Sequence, residues 1–233
     1  MKVALLLLAA GRGTRFGGPL AKVYLPLAGQ AVLLRSAQRL RQVVPDRAAG
    51  QLIVLVSPDD RTGPLSPLLP ELAALGAQIV DGGASRQQSM RRGLTAAGPC
   101  DLVLVHDAAR PLFSVAAAQA CLAKAAECGA ALLAAPATDT LKRVGKERTV
   151  VGTVDRSDIW CAQTPQVIRR SLLEQALVHA ETHGIEATDD VSLVEALGGT
   201  VAIVESAARN LKITRPDDLA IAEALWALDP ERP

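Results

Sequence analysis

Aromatic side chains are nearly absent: two Phe, two Trp and one Tyr make up 2% of 233 residues. Aliphatic groups must therefore pack the core, and with 49% of the chain hydrophobic there are enough of them. A surplus of one charge is also lacking, since 25 Lys and Arg face 24 Asp and Glu for a net charge of +1. No global field draws such a chain to nucleic acid or to a membrane surface, so an anion site has to be built locally. Cys100, Cys121, Cys128 and Cys161 contain no C-x-x-C pair. Their spacing fits neither a zinc site nor a small disulfide scaffold, and they read as reduced, structural thiols. His179 and His183 share a helix-like spacing but no obvious third ligand lies nearby, which reads as a solvated face rather than a metal centre. No stretch reaches the ~20 apolar residues of a membrane span. The start, MKVALLLLAAGRG, has the outline of a secretory signal, yet its apolar run is short and Arg12 and Arg15 follow at once. It reads instead as a buried first strand. A cytoplasmic protein is the expectation.

Apolar runs of strand length recur at Val3–Ala9, Leu52–Val56, Gln78–Val80, Leu102–Val105, Ala131–Ala135 and Val201–Val204. They do not alternate with polar residues, as expected for strands covered on both faces. Helical patterns lie between them. Val32–Val43 has apolar residues at helical spacing, and Ser85–Ala96 is polar on one side. Ser114 is placed to cap Val115–Cys128, with Gly129 to end it. A short helix is expected around Glu71–Leu75, and Thr214 followed by Pro216 starts a final helix through Leu228. The alternation predicts one α/β domain over residues 1–233, with a Rossmann-like, mostly parallel sheet and helices on both faces. Ligands of such sheets sit beyond the carboxyl ends of the strands. One segment breaks the rhythm. Asp139–Arg156 holds two β-like runs around a charged Gly145–Lys146 turn and has little apolar surface for the main core. It is read as a projecting hairpin arm, at about 137–157, and an exposed arm of this kind usually packs on something, often another copy of itself. An edge hairpin of the main sheet is the alternative.

The first strand runs into A-A-G-R-G-T-R-F-G-G at Ala9–Gly18. A dinucleotide site wants G-x-G-x-x-G, but after Gly11 and Gly13 the third place is Phe16, and no acidic residue follows at the required distance. A P-loop wants Gly-Lys-Ser/Thr, which Phe16-Gly17-Gly18 does not supply. A nucleotidyltransferase keeps the glycines for close backbone approach and adds cations such as Arg15 and Lys22 to neutralise a triphosphate. Asp107, at the end of the strand in D-L-V-L-V-H-D-A-A-R-P, is placed to hold a divalent cation against phosphates. Thr164 precedes Pro165 in what reads as a rigid loop. Thr188 precedes Asp189, which is equally well placed to cap a helix. Lys212 ends a strand near the last helix.

The ordered set of motifs resembles the 2-C-methyl-D-erythritol 4-phosphate cytidylyltransferase family over nearly the whole chain. It comprises A-A-G-x-G-x-R at Ala9–Arg15, Lys22, G-G-x-S-R-x-x-S at Gly82–Ser89, H-D-A-A-R-P at His106–Pro111, D-R at Asp155–Arg156, T-P-Q at Thr164–Gln166, T-D-D at Thr188–Asp190 and N-x-K-I-T at Asn210–Thr214. Two positions depart from the pattern. Leu8 stands where many relatives have proline. Arg209 stands where relatives often have an acid, which leaves a second metal-binding carboxylate unassigned.

The resemblance implies transfer of a cytidylyl group from CTP to 2-C-methyl-D-erythritol 4-phosphate, with Mg²⁺ as the cofactor, in isoprenoid precursor synthesis. It implies nucleotide contacts from Ala9, Ala10, Gly11, Gly13, Arg15, Lys22, Gly83, Arg86 and Ser89. Arg15, Lys22 and Lys212 would stabilise charge in the reaction, and Asp107 would hold the metal. Asp107, Arg110, Thr164, Thr188 and Lys212 would meet the sugar phosphate, while Thr140 and Arg156 would reach it from the arm of a second subunit in a homodimer. His106 is given a structural role. A ribitol 5-phosphate cytidylyltransferase and a non-catalytic nucleotide-binding scaffold are the rival readings.

Overall fold

A computed structural model describes residues 1–11, 16 and 20–232. The chain runs through β1 (Val3–Leu8), a small ribbon of β2 (Pro26–Leu27) and β3 (Gln30–Ala31), α1 (Val32–Val43), β4 (Gly50–Val56), α2 (Leu69–Ala74), β5 (Ala77–Asp81), α3 (Arg86–Ala96), β6 (Leu102–Asp107), α4 (Val115–Cys128) and β7 (Ala130–Pro136). It continues through β8 (Lys142–Val144), β9 (Val150–Thr153), β10 (Trp160–Arg169), α5 (Arg170–His183), α6 (Ser192–Ala196), β11 (Ala202–Glu205) and α7 (Pro216–Ala227). Seven strands form the central sheet in the order β11-β7-β10-β6-β1-β4-β5. Only β10 runs antiparallel to its neighbours, β6 and β7.

Side chains of a strand alternate between faces, and both faces here are covered. Leu5 and Leu7 of β1 point into one layer with Leu33 and Leu40 of α1 and Cys121 and Ala125 of α4. Ala4 and Leu6 point into the other, with Met90 of α3 and Leu173 and Leu177 of α5. This explains the unbroken apolar run that opens the chain. It has no solvent side on which polar residues could stand.

The sheet positions the ligand end of the molecule. β1 pairs with β4 on one side and β6 on the other, all three parallel. The chain leaves β1 toward β4 and β5, then returns across β1 to β6. Such a change of direction opens a crevice at the carboxyl ends of the strands.

Two expectations need correction. Lys212 does not end a strand but lies in irregular chain between β11 and α7. The segment around Thr164–Pro165 is not a loop but lies within β10. The strand accommodates Pro165 because its pairing with β7 shifts register between Ala162 and Gln166, so no ladder bond is demanded of the proline there. The segment after it, Arg170–His183, is a full helix that carries His179 and His183 on its last turns. The Asp139–Arg156 segment forms a hairpin, β8 with β9, as a sheet separate from the main one. All its strand residues are exposed.

The C-terminal helix is anchored by a buried charge pair. Arg39 of α1 is fully buried, donates from Nη1 to the Phe113 carbonyl at 2.9 Å, and pairs through Nη2 with Asp229, just beyond α7. Its guanidinium also lies 5.5 Å from the Trp226 ring centroid. Removing one partner of a buried pair strands the other charge, which costs more than the pair itself contributes. Asp229→Ala should therefore lower unfolding stability by about 3–5 kcal/mol in urea titrations. A loss under about 1 kcal/mol would show that α7 is held by its apolar face alone.

Candidate active site

β6 ends in His106 and Asp107, both buried. His106 is locked on both sides of its ring. The Thr164 hydroxyl lies 3.0 Å from Nδ1, and Nε2 lies 3.0 Å from the Arg110 carbonyl. Because the Asp107 amide already donates to Thr164 Oγ1 at 3.1 Å, the hydroxyl proton is free to point at Nδ1. The imidazole is then neutral, with its proton on Nε2. Burial pushes its pKa down to about 3, with the Asp107 charge opposing. His106 is thus a structural brace, as its place in the motif suggests, and Thr164 is its partner.

Asp107 is surrounded by cations. Its Oδ1 takes a hydrogen bond from Arg86 Nη1. Its Oδ2 lies 2.8 Å from Lys212 Nζ and 3.6 Å from Arg110 Nε. Burial alone would raise its pKa, but Arg86 and Lys212 outweigh burial and hold the carboxyl well below the usual carboxylate range. Asp190, on the far side of the same guanidinium, behaves in the opposite way. It accepts from Arg86 Nε at 3.0 Å and Nη2 at 2.6 Å. Burial raises its pKa despite the opposing charge of Arg86, and the nearby Asp107 and Asp189 charges add to the rise.

Lys212 reaches Asp107 because the chain around it is stapled to β6. The Ile213 amide donates to the Ala109 carbonyl at 2.9 Å, and Arg110 Nη1 donates to the Asn210 carbonyl at 2.6 Å. Asn210 in turn donates to Gln163 and to the Thr164 carbonyl. Asp218, in the first turn of α7, accepts from the Thr214 and Arg215 amides and fixes the exit.

A cavity of about 770 Å³ opens at the carboxyl ends of β1, β4 and β6. Ala9, Ala10, Gly11 and Lys22 line one wall, and Gly82, Gly83, Arg86 and Ser89 another, with Asp107 and Lys212 between them. Lys22 is largely buried there. The two walls touch: a Cβ added to Gly82 would lie 2.3 Å from that of Ala10, so only glycine permits this approach. Ser85 caps α3 by accepting from the Gln88 amide at 3.1 Å, and the Ser89 hydroxyl accepts from the Gly83 amide at 3.0 Å. Ser57, Pro58, Asp59 and Arg92 also line it, and no motif singled them out.

Other expected residues stand apart from the cavity. Arg110 touches Asp107 from behind it. Thr164 is buried beside His106. Thr188 is exposed, and its neighbour Asp189 accepts from the Ser192 amide at 3.0 Å in the turn before α6, whose cap position is Val191. Thr140 and Arg156 lie on the arm, where Arg156 donates to the Thr138 carbonyl. Gly13 and Arg15 fall outside the described residues. Arg209 lies 3.7 Å from Asp229.

Among the described residues, no group of three His, Cys, Asp or Glu is placed to hold a metal. One carboxylate in a cavity does fit a Mg²⁺ that takes its other oxygens from phosphates and water, the usual habit of that ion. Asp107 would be its protein ligand. Among the described residues, no helix is long and apolar enough to cross a membrane.

A mostly parallel α/β sheet with glycine-rich backbone, two lysines and a carboxylate around a cleft at its strand ends is the architecture of a nucleotidyltransferase. The family model described as "IspD: 2-C-methyl-D-erythritol 4-phosphate cytidylyltransferase" matches residues 3–227. A protein of that name from Bacillus licheniformis is 39% identical over 226 residues, covering 97% of this chain and 96% of its own. A bifunctional IspD/IspF enzyme from an Anaeromyxobacter species is 44% identical, and the chain spans 57% of its length. The crystal structure of the Thermus thermophilus cytidylyltransferase superposes with a TM-score of 0.77 at 36% identity, covering 97% of this chain and 98% of that one. This chain belongs to the 2-C-methyl-D-erythritol 4-phosphate cytidylyltransferase family.

The His106 brace has a pH signature. Its pKa in the folded chain lies below that in the unfolded chain, so between about pH 3 and pH 6.5 the unfolded state binds more protons and stability falls with pH. Lowering the pH from 7 to 5 should remove about 2 kcal/mol through this group. His106→Asn should show a correspondingly flatter profile over that interval in urea unfolding. Parallel profiles for the two proteins would mean the ring is readily protonated in place.

Proposed function

We propose that this chain joins CTP to 2-C-methyl-D-erythritol 4-phosphate, giving 4-diphosphocytidyl-2-C-methyl-D-erythritol and pyrophosphate. The observation that carries the reading is the meeting of Lys22, Asp107 and Lys212 on one cavity from three distant parts of the chain. A phosphate oxygen of the acceptor forms a bond to the α-phosphorus of CTP, and the bond from that phosphorus to the oxygen bridging to the β-phosphate breaks. A phosphate monoester dianion is already nucleophilic. No general base is needed, which agrees with a neutral, doubly held His106. Positioning and charge stabilisation then supply the catalysis.

In this reading the backbone amides from Ala10 to Gly13 cradle the triphosphate, and Gly83 and Ser89 hold the cytosine side. Arg15, Lys22 and Lys212 take up charge that develops on the α-phosphate and the leaving pyrophosphate. Mg²⁺ held by Asp107 would neutralise phosphate oxygens. Arg110, Thr164 and Thr188 belong to the acceptor side, Thr164 by holding the Asp107 backbone in place. Thr140 and Arg156 stand on an arm with exposed Val144, Val150 and Val151, apolar surface that another protein chain would cover. A homodimer would bring each arm to the partner's acceptor site. The chain is read as one domain and as an enzyme of the cytoplasm.

The direct test is pyrophosphate release with Mg²⁺, each nucleoside triphosphate and a panel of polyol phosphates. CTP with methylerythritol phosphate should stand alone, and a preference for ribitol 5-phosphate would reassign the acceptor. Lys22→Ala should lower kcat by about 10²–10³, as removal of one preorganised charge does. Arg156→Ala should raise KM for the sugar phosphate far more than KM for CTP. Equal changes in both would remove the arm from the acceptor site.

A further inference from the structure

Arg86 lines the cavity close to Gly83 and Ser89, where contact with the nucleotide base would be its simplest use. Its guanidinium is committed elsewhere. Nε and Nη2 grip the two oxygens of Asp190, and Nη1 is held on Oδ1 of Asp107. Asp190 itself has little freedom. Its side chain is 1% exposed, and its amide donates to Gln166 Oε1 at 3.0 Å. Gln166 is also buried, and its Nε2 donates to Asp189 Oδ2 at 2.8 Å. The orientation of Arg86 is thus set from the T-D-D segment behind the site rather than from the cavity.

We propose that Asp190 and Arg86 are positioning residues that act together through Asp107: Asp190 aims the guanidinium, and the guanidinium fixes the Asp107 carboxylate so that Oδ2 faces Lys212. This rests on the reaction proposed above. A planar fork gripped on two edges is a rigid spacer, and lysine cannot copy it because its ammonium engages one carboxylate at a time. Arg86 is also the first residue of α3, directly after the cavity loop at 82–85. The same side chain therefore ties the nucleotide wall to the end of β6. Loss of the grip would leave the cavity lining present but Asp107 and Lys212 free to turn.

The test is a double-mutant cycle on the full chain, with Arg86→Lys, Asp190→Asn and both together. Each single change should lower kcat and raise KM for the sugar phosphate, with kcat/KM for that substrate falling about 10²-fold, as a displacement of about 1 Å can produce. KM for CTP should move less than about twofold and the choice among nucleoside triphosphates not at all, since ground-state nucleotide binding is not what is lost. The double variant should be no worse than either single one, because both remove the same grip. Asp190→Glu keeps the charge and should recover part of the activity. Thermal unfolding of every variant, and calorimetric binding of CTP, identify any that fails to fold, and the Lys and Glu variants then carry the cycle.

Relaxed base choice or a raised KM for CTP in Arg86→Lys would overturn the proposal and make Arg86 a base reader. Multiplicative losses in the double variant, or wild-type kinetics in Asp190→Asn, would overturn it as well. Failure of the wild-type protein to release pyrophosphate from CTP and methylerythritol phosphate would instead count against the reaction itself, and the two failures are read from different proteins.

Discussion

Asp107 ends a strand whose six residues are all buried, and three cations converge on it. A carboxylate in that position would be costly if left alone. With Arg86 and Lys212 beside it, burial is more than offset, and the carboxyl is held well below the usual carboxylate range. The dependence runs both ways. Each cation is held near the others by the carboxylate they share, so the cavity can carry concentrated positive charge without opening. Among the described residues that line the cavity, Lys22, Arg86, Arg92 and Lys212 stand with Asp59 and Asp107, an excess of positive charge that suits an anionic ligand.

This arrangement explains why the functional residues are scattered through the sequence. A parallel sheet brings to one edge the ends of strands separated by whole crossover helices. β1, β4 and β6 deliver Ala9, Ser57 and Asp107 to one crevice because their pairing is parallel and in step. Lys212 follows β11, at the opposite side of the sheet, and has to be brought back. The Ile213 amide does this by donating to the Ala109 carbonyl, and the Arg110 guanidinium adds a bond to the Asn210 carbonyl.

The strands and helices that the sequence announces are those with one strong local signal. Val32–Val43 and Val115–Cys128 match the observed helices because helical spacing, and for the second a Ser114 cap and Gly129 stop, agree locally. β10 is not legible in that way. Its first three residues are exposed, its middle holds Gln163, Thr164 and Pro165, and what makes it a strand is pairing on both sides with β6 and β7. α5 buries only Leu173, Ala176, Leu177 and Ala180, a narrow stripe half made of alanine. At the site, charged residues at strand ends are visible in the sequence, whereas their partners are not. Nothing local to Asp190 says that it grips Arg86, because that contact is made across 104 positions of chain.

The hidden partners bear on how a nucleotidyltransferase site of this kind is held ready. Positive groups gathered for a triphosphate repel one another when none is bound, and a set of exposed lysines would simply splay apart. Here the repulsion is answered by the buried carboxylates of Asp107, in the cavity lining, and Asp190, behind it. Asp190 offsets Arg86, Asp107 offsets Lys212, and the neutral His106 fixes the turn that carries Arg110 without adding a further charge. A protonated His106 would break that balance, since it would place one more positive charge beside Arg86 and Arg110 in the buried interior, where charges are weakly screened. The lowered basicity of a histidine outside the cavity lining is therefore part of the same electrostatic construction as the lysines that line the cavity.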